Sequence, residues 1–209
     1  MWEIGANPEP AAQPLDTAEV VSKLRLSADE ATAQAAVLAT AIAGARVACE
    51  TFIGRPLISR EVILWGESWW DCQGLWVSRR PDELSLPFPG VSAVASVTYL
   101  DSAGTVQTWS SATGWEAVLP TGDRPARARV RVRYGQSFPS SPRCQPGAVK
   151  VTYTTGFGVA FTNVPARIRE GLLLYVGEAY ARRELATSGT IIAENPVSAE
   201  RCWSPYRTW

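Results

Sequence analysis

The hydrophobic period of the chain changes twice along its length, and these changes restrict the folds that it can adopt. Between residues 16 and 53 apolar residues recur every three to four positions, which is typical of helices with one buried side. From 57 to about 156 the period is two, as in strands with one buried face. The helical period then returns. This order predicts an α+β fold with a mainly antiparallel sheet.

Capping residues and proline give the helix boundaries. Asp16 and Ser27 are each followed three residues later by a glutamate, the spacing of a capping box, which predicts helices over 16–25 and 28–53. A third helix is predicted over 165–186, where a proline stands at the first turn. Two glycines in this helix lower its propensity, so we expect them to mark close contacts with another element: Gly171 and Gly177.

Alternating residues between turn signals predict seven strands in the β-rich part, 58–156. They are 60–65, 83–86, 96–101, 105–109, 115–119, 126–134 and 148–154. We expect one domain over 15–187 to combine this part with the three helices. Residues 1–14, rich in proline and alanine, are expected to form a flexible arm, and 188–209 a C-terminal arm that docks on a partner.

The composition argues against catalysis, metal binding and a cofactor. The chain has no histidine, which removes the commonest general base and metal ligand. Its four cysteines are too far apart in sequence to form a zinc knuckle. No apolar run reaches the roughly 20 residues that span a membrane, so no membrane contact is expected. Basic and acidic residues number 20 each, so a DNA contact would be local or incidental.

The segment "RARVRVRY" is the strongest charge pattern. As a strand it places four guanidinium groups on one face, where like charges about 7 Å apart repel unless anionic groups answer them. The residues are Arg127, Arg129, Arg131 and Arg133. Three interpretations stay open: pairing with a neighbouring subunit or partner, a solvated face paired within the chain, or contact with a DNA backbone.

The segment "SVTYLDSAGTVQTW" predicts a hairpin with a turn at 101–104. It carries no chemical group suited to catalysis. Val97, Tyr99 and Val106 are expected to seat it on the core, which leaves its other face and the tip residues Asp101 and Gly104 free to meet a neighbour.

The end of the chain combines aromatic and cationic residues. Large aromatics at a mobile terminus cost solubility unless they dock, either on the protein's own core or on another chain. The residues are Trp203, Pro205, Tyr206, Arg207 and Trp209. A separate segment, "GESWWDCQGLW", is an irregular insertion with three tryptophans. It leaves open a β-rich domain that binds a carbohydrate or small ligand.

Several passages resemble the head–tail connector, or adaptor, proteins of long-tailed bacteriophages and phage-derived gene transfer agents. The most specific are the helix end "TFIGRPL", the hairpin lead-in "PGVSAVASVTYLD", and the strand-to-helix passage "VTYTTGFG" followed by "VPARIREGLLL". The resemblance runs from about Leu15 to Arg207. The tryptophan-rich insertion at 65–76 and the arginine strand depart from plainer members.

The resemblance implies a non-enzymatic virion protein made in the bacterial cytoplasm and located at the head–tail junction. Such adaptors form a ring, typically of twelve copies, below the portal protein. They extend the channel through which DNA passes and offer an attachment surface to a stopper or tail protein. Their C-terminal segment, here about 199–209, reaches onto the portal. A stopper or tail-completion protein one ring further down is the alternative.

Overall fold

The computed structural model describes residues 2–69, 82–120, 127–140, 145–181 and 198–207. Within these ranges the helices are α1 Thr17–Leu24, α2 Ala28–Ala33, α3 Ala35–Ile53, α4 Ala166–Ala181 and α5 Ala199–Trp203. The strands are β1 Trp2–Ala6, β2 Arg60–Gly66, β3 Glu83–Pro89, β4 Val91–Leu100, β5 Val106–Trp109, β6 Trp115–Val118, β7 Arg127–Val132 and β8 Val149–Thr155. The predicted α+β class is confirmed, and each of the seven predicted strands is present.

The chain divides into two compact units. The β unit comprises Met1–Pro10 and Ser59–Gly156, and the helical unit comprises Ala11–Ile58 and Phe157–Trp209. This differs from the single domain expected over 15–187. The reason is that the strands bury their apolar residues against one another and the helices do the same, so that two separate cores result.

Two antiparallel sheets build the β unit. The strand order is β1-β2-β8-β4-β5 in the larger sheet and β3-β7-β6 in the smaller one. Alternate residues of both sheets meet in one core, which includes Val62, Val151 and Tyr153 from the larger sheet and Leu86 and Val130 from the smaller one. The period of two in the sequence is thus the alternation between this core and the outer faces.

The helical unit is built around α3 and α4. The predicted stripe on α3 is buried at Leu38, Ile42 and Cys49, and it shares its core with Ile168 and Leu172 of α4. Each such leucine or isoleucine contributes about 1.5–3 kcal/mol on burial. The predicted helix over 28–53 is interrupted, because Gln34 leaves helical geometry at φ −108° and separates α2 from α3.

Helix α3 corrects the expectation that no apolar segment of the chain is long enough to span a membrane. Its 19 residues, with a mean hydropathy of 1.5 in the best 18-residue window, have the length and composition of a membrane-crossing segment. The core helix of a soluble protein meets the same criterion. Here the buried stripe of α3 packs against other helices in the core of the helical unit. Arg46, near the middle of the helix, is itself buried.

Both of the expected arms have defined structure in the described residues. Within 1–14, Trp2–Ala6 forms β1 and pairs antiparallel with β2, so the flexible-arm prediction is wrong for these residues. Within 188–209, residues 198–207 form α5 and a following 3-10 turn at Ser204–Tyr206. Backbone hydrogen bonding to an open sheet edge, which composition does not reveal, orders the N-terminal segment.

Candidate docking surfaces

The predicted arginine strand is β7, the central strand of the smaller sheet. The residues between its arginines are buried, so the guanidinium groups lie on the opposite face, as the alternation predicts. We call this surface the arginine face: Arg127, Arg129, Arg131 and Arg133.

Carboxylates of the two neighbouring strands pair with three of these arginines, and the longest of the three pairs joins Arg133 Nη1 to Glu116 Oε2 at 3.9 Å. Arg129 donates from Nη1 to Glu83 Oε2 on β3 at 3.0 Å, and Arg131 donates from Nη2 to Glu116 Oε1 on β6 at 2.6 Å. The hydrogen bond and the charge of Glu116 raise the pKa of the Arg131 guanidinium above its ordinary value. These contacts support the interpretation of a strand face paired within the chain.

The arginine face nevertheless remains open to solvent. Arg133 donates from Nε to the carbonyl oxygens of Ser111 and Trp115, both at 3.1 Å, which fixes its guanidinium beside the start of β6. The side chains of Arg129, Arg131 and Arg133 keep 42 %, 41 % and 42 % of their area exposed. The intrachain pairs therefore leave much of this face exposed. A contact between the arginine face and another molecule stays a prediction.

The hairpin tip is held by its own aspartate. Asp101 Oδ1 accepts hydrogen bonds from the backbone N–H of Ala103 and Thr105, and its Oδ2 accepts one from Gln107 Nε2, all at 2.9 Å. The bond from Gln107 is the main cause that lowers the pKa of the Asp101 carboxyl. Gly104, at φ 83°, takes a conformation that suits glycine. The tip is a preformed surface whose carboxylate already has partners.

The predicted seating of the hairpin is correct for one strand and wrong for the other. Val97 is buried and Tyr99 packs against the core, but Val106 is 65 % exposed. Val106 pairs with Leu100, which places it on the face opposite to that of Val97 and its partner Trp109. The outer face of the hairpin therefore carries an exposed valine that the sequence analysis had assigned to the core.

Trp203 lies in the core of the helical unit and is only 2 % exposed. Its ring stands beside Phe52 and Tyr175, with centroids 6.0 Å apart in both cases, and its Nε1 donates to the Ile168 carbonyl oxygen at 3.3 Å. In this conformation the ring is not available to a partner. Of the two alternatives for the aromatic terminus, docking on the protein's own core holds for Trp203.

The residues after Trp203 reach the surface. Pro205 is exposed, while Tyr206 is half-buried with its ring edge-on to Phe157 at a centroid distance of 6.2 Å. The exposed Arg207 guanidinium lies 5.1 Å from the Phe52 ring centroid. Trp209 lies outside the described residues. A portal contact by Pro205, Tyr206 and Arg207 stays a prediction, now centred on residues after α5.

Gly171 is the residue of α4 that admits the Trp203 ring. A Cβ atom at this position would collide with Trp203 Nε1 and Cys202 Cβ, so the predicted close contact is confirmed. At Gly177 a Cβ would meet nothing within 4 Å, and the same prediction is wrong there.

The outward side of α3 is a surface that the sequence analysis missed. Val37 and Val47 are 56 % and 50 % exposed. An open groove on α3 is lined by Ala36, Val37, Thr40 and Ala41. The signal was present in the sequence, because no charged residue occurs between Glu30 and Arg46. An amphipathic surface helix would carry charges on this side.

Three observations on the described residues argue against the alternative functions. These residues contain no cluster of three or more potential metal ligands. Burial raises the pKa of the Cys49 thiol far above its ordinary value, which makes it a poor nucleophile. Trp69 is 2 % exposed and packs on Trp109 and Phe138, so it cannot serve as a sugar-binding platform. The other tryptophans of the insertion, Trp70 and Trp76, lie outside the described residues.

Comparison with known proteins gives matches among solved structures. No family model matches the sequence, and no curated protein does. The fold is similar to a chain in the neck of an empty gene transfer agent particle computed with C6 symmetry, with a TM-score of 0.70 and 25 % identity. It is also similar to a chain in the virion of a native gene transfer agent particle, with a TM-score of 0.72 and 24 % identity.

A third match is a chain in the neck of the native particle computed with C12 symmetry, with a TM-score of 0.67 and 23 % identity. All three matches cover 100 % of this chain and 96 % of the other. The similarity thus includes the β unit and the helical unit together. The resemblance noted in the sequence is confirmed by the fold.

Proposed function

We propose that this chain, which belongs to the head–tail connector type of structural proteins of phages and gene transfer agents, is the adaptor that joins the portal to the tail. It is a structural protein of a phage-like particle, located at the head–tail junction. The observation that carries the adaptor role is the full-length similarity to a neck chain at 25 % identity. The absence of histidine from the sequence agrees with a role that needs no catalysis.

A ring is the assembly that we propose for this adaptor. The similar neck structures were computed with C6 and C12 symmetry, which supports a closed ring of identical copies, twelve in the full set. In a closed ring each copy meets its two neighbours through two different surfaces. The arginine face and the hairpin tip with Asp101 and Gly104 are our candidates for contacts with a neighbouring copy or with the stopper or tail protein.

The portal contact is assigned to Pro205, Tyr206 and Arg207, the described residues after the buried Trp203. Trp209 is retained as a candidate on its sequence alone. Tyrosine and arginine dominate the energetics of protein interfaces, and both groups reach the surface here. Because Trp203 fixes α5 in the helical core, these residues emerge from an anchored point, which lowers the entropic cost of docking.

The direct test is the mass of the purified protein, alone and mixed with its portal, measured by native mass spectrometry or light scattering. We expect a complex with the portal's own copy number or a multiple of it. A chain that ends after Trp203 should lose portal affinity by at least about tenfold, since it lacks the proposed hot-spot residues but keeps the buried anchor.

The matched control is Tyr134→Ala, which removes a fully exposed tyrosine from the β unit and should leave portal binding unchanged. Unfolding curves for both variants establish that the subunit is intact. Absence of any complex between the unaltered protein and the portal would contradict the adaptor role. Equal portal binding by the shortened chain and the unaltered protein would contradict the assignment of the C-terminal residues only.

A further inference from the structure

The N-terminal strand β1 lies at an edge of its sheet and pairs with one strand only. β1 pairs with β2 through the register Glu3 with Trp65 and Ile4 with Leu64, at one edge of the larger sheet. Ile4 of β1 is 42 % exposed and belongs to neither core. Departure of β1 from the edge would therefore remove no Ile4 contact from either core.

The edge that β1 covers does need a strand. β2 contributes the buried residues Val62 and Leu64 to the core of the β unit, and β8 occupies only one of its sides. A seven-residue strand with a free edge would offer its unpaired N–H and C=O groups to any other chain. Protection of this edge by one particular strand thus matters for the whole assembly.

The first part of the connection behind β1, residues 7–11, is mostly exposed. Residues 7–16 separate β1 from α1 and contain Pro8, Pro10 and Pro14, so they form neither helix nor strand. Ala12 and Leu15 already pack in the core of the helical unit. Extended at about 3.1 Å per residue, the five residues before Ala12 span about 15 Å. The chain also passes from the β unit to the helical unit within this segment, after Pro10. The pairing with β2 and this segment both connect β1 to the rest of its subunit.

We propose that in the assembled ring β1 of each copy pairs with β2 of the neighbouring copy. The inference rests on the proposed ring. Every copy carries an identical β2 edge, so the exchange keeps all β1–β2 hydrogen bonds and adds a link between subunits at little cost. It also places Ile4 at a junction between two copies, where the neighbouring copy can cover its exposed side chain. The partner of this sheet edge is a second copy of the chain.

Paired cysteines across the strand register give the test. Glu3→Cys combined with Trp65→Cys is treated with a short bismaleimide reagent in assembled rings and separated under denaturing, reducing conditions. We expect dimers and higher multiples of the chain, with loss of most of the monomer band. The within-chain control is Glu61→Cys with Thr154→Cys, which joins β2 to β8 and should give monomer only.

The single variants Glu3→Cys and Trp65→Cys report any reaction with the native cysteines. Rings that yield only the crosslinked monomer overturn the exchange, and so do rings that yield no β1–β2 product, since β1 would then not pair with β2 at all. In both cases the measured ring mass leaves the adaptor role intact. A protein that forms no ring in the presence of its portal overturns the proposed assembly, and the exchange with it.

Discussion

At the scale of single residues, the position of the C-terminal segment depends on a glycine, which has no side chain. Gly171 leaves the space that the Trp203 indole fills, and Trp203 in turn fixes α5 in the core. A tryptophan removed from a core costs about 3–5 kcal/mol, so this contact is a large share of the stability of one unit. The surface residues Pro205 to Arg207 depend on it for their position.

Gly171→Ala should therefore lower the free energy of unfolding by about 1–3 kcal/mol, because the new methyl group displaces the Trp203 ring. The measurement is urea unfolding followed by tryptophan fluorescence. The matched control is Gly177→Ala on the same helix, where the space is open and the better helix propensity of alanine should add up to about 1 kcal/mol. Equal effects of the two substitutions would show that Trp203 does not occupy this site.

These two glycines also show the reach of sequence reasoning at this scale. Low helix propensity flags both positions equally, since it is a property of the residue alone. Which glycine has a close neighbour depends on α5, more than 25 residues away in the sequence, and on the path that returns it to α4. Long-range contacts of this kind leave no local pattern.

At the scale of elements, alternation predicted the arginine strand and its buried side, but could not supply the partners. Glu83 and Glu116 stand on β3 and β6, and only the strand order brings them beside β7. β1 was missed for a related reason, because its strand depends on an edge that β2 provides. The face of each strand could be predicted, whereas the neighbour of each strand could not.

The pairing on the arginine face makes charge reversal informative. Arg129→Glu would place a carboxylate against the buried Glu83, and we expect it to lower the free energy of unfolding by more than about 1 kcal/mol. Arg167→Glu, at an exposed position of α4, should change it by no more than about 0.5 kcal/mol. Thermal or urea unfolding compares the two. A harmless Arg129→Glu would mean that the Glu83 pair is not formed.

At the scale of the whole molecule, the equal number of acidic and basic residues agrees with the proposed adaptor role, in which DNA would slide past the protein without binding it. Affinity for DNA comes mainly from neutralised phosphates and the counterions that they release. A chain with zero formal net charge, whose clustered arginines are partly engaged by carboxylates, has little of this driving force.

The purified protein should accordingly bind duplex DNA with a Kd above about 10⁻⁴ M at 0.15 M salt, which is weaker than the usual affinity of non-specific binders. Fluorescence anisotropy with a labelled duplex measures this. Tighter binding that falls steeply with salt, and that Arg127→Glu abolishes, would reassign the arginine face to DNA.

The division of the chain into two units also has a consequence for synthesis. The helical unit combines residues that precede Ser59–Gly156 in the sequence with residues that follow it, and its core includes Trp203. Since a protein emerges from the ribosome N-terminus first, the strands can pair while α3 still lacks α4 and α5. The helical core closes only after Trp203 has emerged. The segment proposed to contact the portal is thus fixed in place only after the strands have been synthesised.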